Sequence, residues 1–308
     1  MTEAAPLEPG SAVASGFVVV EHLNRARTLD VYDVWSEERA CRCIAKTLRP
    51  DRVDDRSAAQ QLEREGRLLC RLTHPHIVRG YELVSAPRQV VIMETLTGET
   101  LSHLIEAHDP LSPTELAYLG LQLCSAAQYL HRNRVLHLDL KPSNVVAEAG
   151  RAKLIDLSVA RRPGRAPAGV GTWSYMAPEQ VRGGKLGPAA DVWGIAVVLW
   201  EAAAGRPAFG GEEDDVPASG DLEELPPELH PQVRRAAESV GRHRQLPKPL
   251  VRAIDIGLAP EPLHRPSVGA LTALLEQVPG VVSPRSRRPA SDVEGAGDEG
   301  RRGRAVGG

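Results

Sequence analysis

Apolar and polar positions alternate along the first third of the chain and then give way to helical spacing. Runs rich in Val, Ile and Cys at 16–23 (GFVVVEHL), 29–35 (LDVYDVW) and 40–48 (ACRCIAKTL), separated by polar turns, predict three strands. Runs at 77–84 (IVRGYELV) and 88–95 (RQVVIMET) predict two more. Between these groups, residues 54–72 place Leu62, Leu69 and Leu72 on one stripe of a helix. On a 3.6-residue period Glu65 falls inside that stripe and Glu63 outside it. An inward carboxylate needs a cation, because losing such a partner costs about 3–5 kcal/mol.

After Gly98 the pattern turns helical. Residues 112–132 open with Ser112 as N-cap, Pro113 at the first helical position and Glu115 completing a capping box. Leu116, Leu119, Leu123 and Leu130 form the buried face of this helix. Short strands are predicted around Val145–Val146 and Lys153–Ile155, then a loop from Ser158 to Met176. The helix following Asp191 is apolar on every side and belongs in a core. Further helices are predicted at 249–258 and 267–278. The order of elements gives an α+β chain: a small β-rich lobe with one helix over 16–95, and a mainly helical lobe over 96–278. Residues 1–15 read as a loose tail, 211–230 as an acidic, Pro-rich loop, and 279–308 as a disordered tail.

Composition narrows this picture. Aromatic residues make up only 4% of the chain, so Leu, Val, Ile and Ala must fill the core. A net charge of −3 gives no overall pull toward nucleic acid or membrane. No basic segment precedes an apolar run at the start, and the longest apolar run is too short to span a bilayer. A soluble cytoplasmic protein without a membrane anchor is expected. Cys41, Cys43, Cys70 and Cys124 lack metal-ligand spacing and read as small buried hydrophobes in a reducing compartment.

Candidate chemistry concentrates in VLHLDLKPSNVV (135–146), which sets Asp139, Lys141 and Asn144 within six residues between two apolar runs. Pro-Ser-Asn is also good turn chemistry, so alone the stretch reads more readily as a solvated turn. It is followed by LIDLS (154–158) and GTWSYMAPEQ (171–180). Several motifs in this order resemble the catalytic core of a protein kinase of the bacterial Ser/Thr type, from about Phe17 to Val278.

The resemblance implies a bilobal kinase fold, ATP and Mg²⁺ as cofactors, and protein substrates carrying Ser or Thr hydroxyls. It implies that Asp139 orients and deprotonates the acceptor hydroxyl, and that Lys141 neutralises the migrating phosphoryl oxygens. Asn144 and Asp156 would hold Mg²⁺ through amide and carboxylate oxygens. Lys46 would be the cation that meets Glu65 and grips the nucleotide phosphates. Val31 and Ile44 would roof the adenine and Val146 would floor it, with Met93 as gatekeeper and Glu94 to Leu96 as hinge. Asp191 would cap its helix and tie down the catalytic loop, Glu179 would pair with Arg265, and His137 would support the loop by packing.

The chain departs from the family at three places. The glycine positions of the phosphate-covering loop hold Asn24, Ala26 and Leu29. Each lost backbone contact to phosphate would cost roughly 0.5–1.5 kcal/mol. Leu157 and Ser158 stand where Phe and Gly usually follow the aspartate. Leu138 replaces the arginine that precedes the catalytic aspartate, and no Ser, Thr or Tyr occurs from Val159 to Gly171. Activity is therefore expected not to depend on phosphorylation of that segment, with Thr172 acting by hydrogen bonding near Asp139. Two alternatives stay open: a pseudokinase scaffold that binds nucleotide weakly or not at all, and a small-molecule phosphotransferase. The acidic run Glu212–Asp215 is a solvated loop or an attractor of basic substrates. Any regulatory protein partner would act on this core or its tails.

Overall fold

The computed structural model describes residues 4–86, 88–108, 110–210 and 226–282. The acidic run within 211–225 and the tail from 283 onward lie outside the described residues.

The first lobe is one antiparallel sheet with a helix laid on it. Strands β1 (Ala12–Ala14), β2 (Phe17–Arg25), β3 (Leu29–Ser36) and β4 (Cys41–Leu48) precede helix α1 (Arg56–Arg71), and β5 (Gly80–Val84) and β6 (Val90–Glu94) follow it. The sheet order is β1-β2-β3-β4-β6-β5. Period-2 alternation sorts the side chains. Cys43, Ala45, Val90 and Ile92 close a small apolar cluster with Val13, Phe17, Tyr32 and Val34. Val91 and Met93 face the other way, into the main core shared with α1. Gly66 permits the close approach of α1, because a Cβ there would stand 2.8 Å from Val91 Cγ2. The Asp55 carboxylate caps α1 by accepting from the amides of Ser57 and Ala58, each at 3.0 Å.

Residues 4–15 are not a loose tail. β1 pairs with β2, the Arg25 guanidinium donates to the Ala4 carbonyl at 2.7 Å, and the Leu7 amide donates to Tyr32 Oη at 3.0 Å. Burial of Val13 and Ala14 supplies the apolar area that holds this segment down.

The second lobe is helical apart from short ladders. In chain order it runs β7 (Glu99–Thr100), α2 (Leu101–Ala107), α3 (Pro113–Arg132), β8 (Val145–Glu148), β9 (Arg151–Leu154), β10 (Gly164–Ala166), α4 (Pro178–Arg182), β11 (Gly184–Leu186), α5 (Pro188–Ala204), α6 (Pro231–Arg234), α7 (Lys248–Gly257) and α8 (Val268–Leu275). Both halves of the Ser112–Glu115 capping box form. α5 is buried along nearly its whole length and ends at Gly205, which takes the left-handed conformation (φ 72°) that closes the helix. β10 pairs with β11, so the stretch expected to be an uninterrupted loop from Ser158 to Met176 contains a strand. The Arg265 guanidinium clamps Glu179 with two bonds of 2.7 and 2.8 Å and also donates to the carbonyls of Ala189, Ala259 and Pro260. It thereby fixes α4 against α5 and the turn before α8.

Among the described residues, no helix is long and apolar enough to cross a membrane. Cys43 and Cys124 are buried as expected, whereas Cys41 and Cys70 are exposed, because their positions on β4 and α1 face outward.

Candidate active site

Lys46 reaches the site from β4, where it stands opposite Val31 on β3 and Val91 on β6. Its Nζ donates to both oxygens of Glu65, at 2.8 and 2.9 Å, and lies 3.5 Å from Asp156 Oδ2. Glu65 is 1% exposed, inside the apolar stripe of α1, and also accepts from the Leu157 amide at 3.4 Å. Burial works against the Lys46 charge, but the carboxylates of Glu65 and Asp156 outweigh it and raise the pKa. Burial pushes the Glu65 carboxyl up to about 7 against the pull of the Lys46 ammonium. For Asp156, burial is outweighed by Lys46 and by the Ser158 amide at 2.7 Å, which hold the carboxyl well below the usual carboxylate range.

The second group lies on the loop between α3 and β8. Asp139 Oδ1 accepts from the Thr172 amide at 2.9 Å, and Oδ2 accepts from Asn144 Nδ2 at 3.0 Å. Lys141 Nζ lies 3.2 Å from Asp139 Oδ2 and donates to Thr172 Oγ1 at 2.6 Å. Ile155 N–H donates to the Asn144 carbonyl at 3.1 Å, which brings the Asp156 segment alongside the loop.

Asp191 anchors this loop from below. Its carboxylate accepts from the amides of His137 (3.0 and 3.1 Å) and Leu138 (2.8 Å) and from His131 Nε2 at 2.6 Å. It does not cap α5, as the sequence led us to expect. The Gly187-Pro188 step starts that helix earlier, placing Asp191 inside the first turn with its side chain free to reach the loop. Leu138 is held at φ 66°, a left-handed conformation uncommon for a branched apolar residue. Its carbonyl accepts from Gln180 Nε2 at 2.8 Å, and the same amide reaches the Val170 carbonyl at 2.6 Å. The His137 ring also holds the loop, since Nδ1 accepts from the Asp139 amide at 3.3 Å, while burial lowers its pKa and keeps it neutral.

The expected base-binding positions fall on β3, β4 and β6 of the first-lobe sheet, on the segment just after β6, and on β8 of the second lobe. Val31 and Ile44 share the Lys46 face of the sheet, the first opposite Lys46 and the second two residues before it. Ile44 pairs with Met93 across β4 and β6. Val146, 6% exposed, is on β8. Glu94 ends β6 with its side chain engaged by Lys153 Nζ and by the Arg79 amide, and Leu96 packs against the main core. Leu157 and Leu69 are both fully within that core.

The donor set suits a hard cation. The two hydrogens of Asn144 Nδ2 go to the Asp139 carbonyl and carboxylate, so its amide oxygen is left for a metal, and Asp156 follows Ile155, whose amide is tied to the Asn144 carbonyl. Among the described residues no three His, Cys, Asp or Glu side chains could hold a metal by themselves. Mg²⁺ commonly takes one or two protein oxygens and completes its shell with phosphate and water.

Gln180 and His131 were not singled out from the sequence. Gln180 ends the 171–180 motif, which does not say what its side chain meets, and a histidine at a helix end carries no periodic or motif signal of its own. Their partners, 42 and 60 residues away, appear only in the folded chain.

A family model described as "Protein kinase domain" matches residues 18–277. The chain is 31% identical over 287 residues to the serine/threonine-protein kinase PkaA of Streptomyces coelicolor, covering 86% of this chain and 50% of that protein. It is 30% identical over 215 residues to the serine/threonine-protein kinase PknB of Mycobacterium tuberculosis, covering 62% of this chain and 34% of that protein. A probable serine/threonine-protein kinase of Corynebacterium efficiens is 30% identical over 194 residues, 59% of this chain and 29% of that protein. The chain thus spans half the length or less of these relatives.

Proposed function

We propose that this chain, which belongs to the protein kinase domain family, transfers the terminal phosphoryl group of ATP to Ser or Thr hydroxyls of protein substrates in the cytoplasm. The observation that carries this reading is a buried lysine held by acids from two other segments, Glu65 and Asp156. Lys46 would bind the nucleotide phosphates, and Glu65 would fix its position. Val31, Ile44 and Val146 would enclose the adenine, and the backbone of Glu94 to Leu96 would meet its edge. Asn144 and Asp156 would hold Mg²⁺, which supplies charge neutralisation at the phosphates. Asp139 would take the hydroxyl proton as the hydroxyl oxygen bonds to the γ-phosphorus. The bond from that phosphorus to the β,γ-bridging oxygen breaks, and ADP leaves. Lys141 would stabilise the charge on the moving phosphoryl group.

Phosphorylation within 159–171 has no part in this reading, since that stretch offers no acceptor. The Thr172 amide and hydroxyl would organise Asp139 and Lys141 instead. The β2–β3 turn lacks glycine, so fewer backbone amides would approach the phosphates. That feature favours a second reading, a nucleotide-binding scaffold. Incubation with Mg²⁺, γ-labelled ATP and a basic protein substrate, followed by identification of the labelled amino acid, separates the two. Label on Ser or Thr supports the kinase, whereas nucleotide binding without transfer supports the scaffold.

The pKa of Glu65 sets a pH dependence. The carboxyl is ionised above about 7 and gains a proton below it, so its pair with Lys46 is complete on the alkaline side and weakens as pH falls. The kcat/KM for ATP is expected to decline on that acid limb. Glu65→Gln is expected to lower the plateau about tenfold, roughly 1.4 kcal/mol, and to flatten the limb. An unchanged limb in the variant would assign the titration to another group.

A further inference from the structure

Away from the catalytic groups, three segments gather six arginines around one cavity of about 560 Å³. Arg64, Arg67 and Arg71 come from α1, Arg134 from the turn after α3, and Arg161 and Arg162 from the segment after Asp156. Of these six, only Arg67 meets a carboxylate among the described residues, that of Glu63 on the previous turn. Arg161 is half-buried and donates through Nε to the Val159 carbonyl at 3.3 Å. Burial and the neighbouring Arg64 cation both lower its pKa. Arg134 is held at φ 58°. Such a concentration of like charge raises the local potential and favours an anion.

The chemistry of the lining restricts the ligand. Guanidinium forks suit phosphate oxygens, and several forks from different directions suit more than one phosphate. The volume lies within the range of small-ligand sites, about 300–1,000 Å³. Residues 159–171 hold no Ser, Thr or Tyr, so a phosphate cannot be supplied from within the adjoining segment.

We propose that this cavity binds a compact ligand carrying at least two phosphate groups, and that the bound ligand clamps α1 to the 160–162 segment. Arg64 is the chain neighbour of Glu65, so a clamp here holds Glu65 toward Lys46. This second part rests on the phosphotransfer reading; the binding itself does not.

The test uses the full chain with its nucleotide site saturated by a non-hydrolysable ATP analogue and Mg²⁺ in excess. Tripolyphosphate is titrated calorimetrically at near-physiological ionic strength. In a parallel arm, a peptide with two adjacent phosphoserines replaces it, to tell a small polyphosphate from a modified protein. Saturable binding of either probe is expected. Affinity should be at least about tenfold weaker in Arg64→Gln/Arg71→Gln, both on the exposed face of α1, with melting unchanged. Arg134→Gln serves if the double variant fails to fold. Absence of saturable binding by both probes, or equal affinity in the variants, overturns the site. Phosphotransfer in the presence of ATP should accelerate with the bound probe in the parent chain only; a rate indifferent to the probe overturns the clamp. Binding without phosphotransfer in any state would retain the site and count against the kinase reading instead.

Discussion

Asp139→Asn is expected to lower kcat for protein phosphorylation by about 10²–10⁴-fold, the range for loss of a positioned general base. Affinity for ATP should remain close to that of the parent. The substitution preserves shape and leaves Lys46, Glu65 and Asp156 untouched. Only one carboxylate oxygen becomes an amide nitrogen. That atom cannot accept the substrate proton or the Asn144 Nδ2 bond now made at 3.0 Å, and it removes the negative partner of Lys141. The Thr172 amide can still donate to the remaining oxygen, so the segment after Gly171 should stay in place. Initial rates with saturating ATP, together with nucleotide titration of the same variant, separate the two effects. A rate within threefold of the parent would remove Asp139 from the chemistry, and a parallel fall in nucleotide affinity would show that the site itself had collapsed.

Much of this arrangement could be read in the sequence because its signals are local. Glu65 sits in the leucine stripe of one helix, and period alone assigns it inward. Asp139, Lys141 and Asn144 lie within six residues of each other. The Ser112 capping box is likewise complete within four residues. Features decided by distant packing were hidden. β1 is three residues long, and its stability comes from burial against β2 rather than from its own pattern. The sequence pattern puts the N-terminus of α5 too late because the loop contacts of Asp191, which lie more than 50 residues away, cannot be told from a capping role by sequence. The six arginines come from three segments whose proximity exists only after folding, and on their own helix the first three read as ordinary solvated positions.

Asp191→Ala is expected to cost about 3–5 kcal/mol of stability, and so to lower the melting temperature by about 6–20 °C. The carboxylate is 1% exposed and satisfies the amides of His137 and Leu138 and the His131 ring at once. Alanine leaves two buried backbone donors without acceptors. It also removes one of the two ties that hold Leu138 at φ 66°, the other being Gln180. A left-handed leucine persists only where its surroundings over-determine it. The loop should therefore relax and carry Asp139 away from its productive position, so kcat should fall while ATP affinity changes little. Burial opposes ionisation of Asp191, but the bonds from His131 and the Leu138 amide outweigh it and depress the pKa. Its stabilising contribution is accordingly present above the ordinary carboxylate range and lost as pH falls through the depressed value. Thermal melts of the parent and the variant should converge on acidification. Asp191→Asn, which keeps one acceptor oxygen, should fall between them at neutral pH. A variant that melts with the parent at neutral pH would mean that the loop amides find other acceptors, and that Leu138 is held by Gln180 alone.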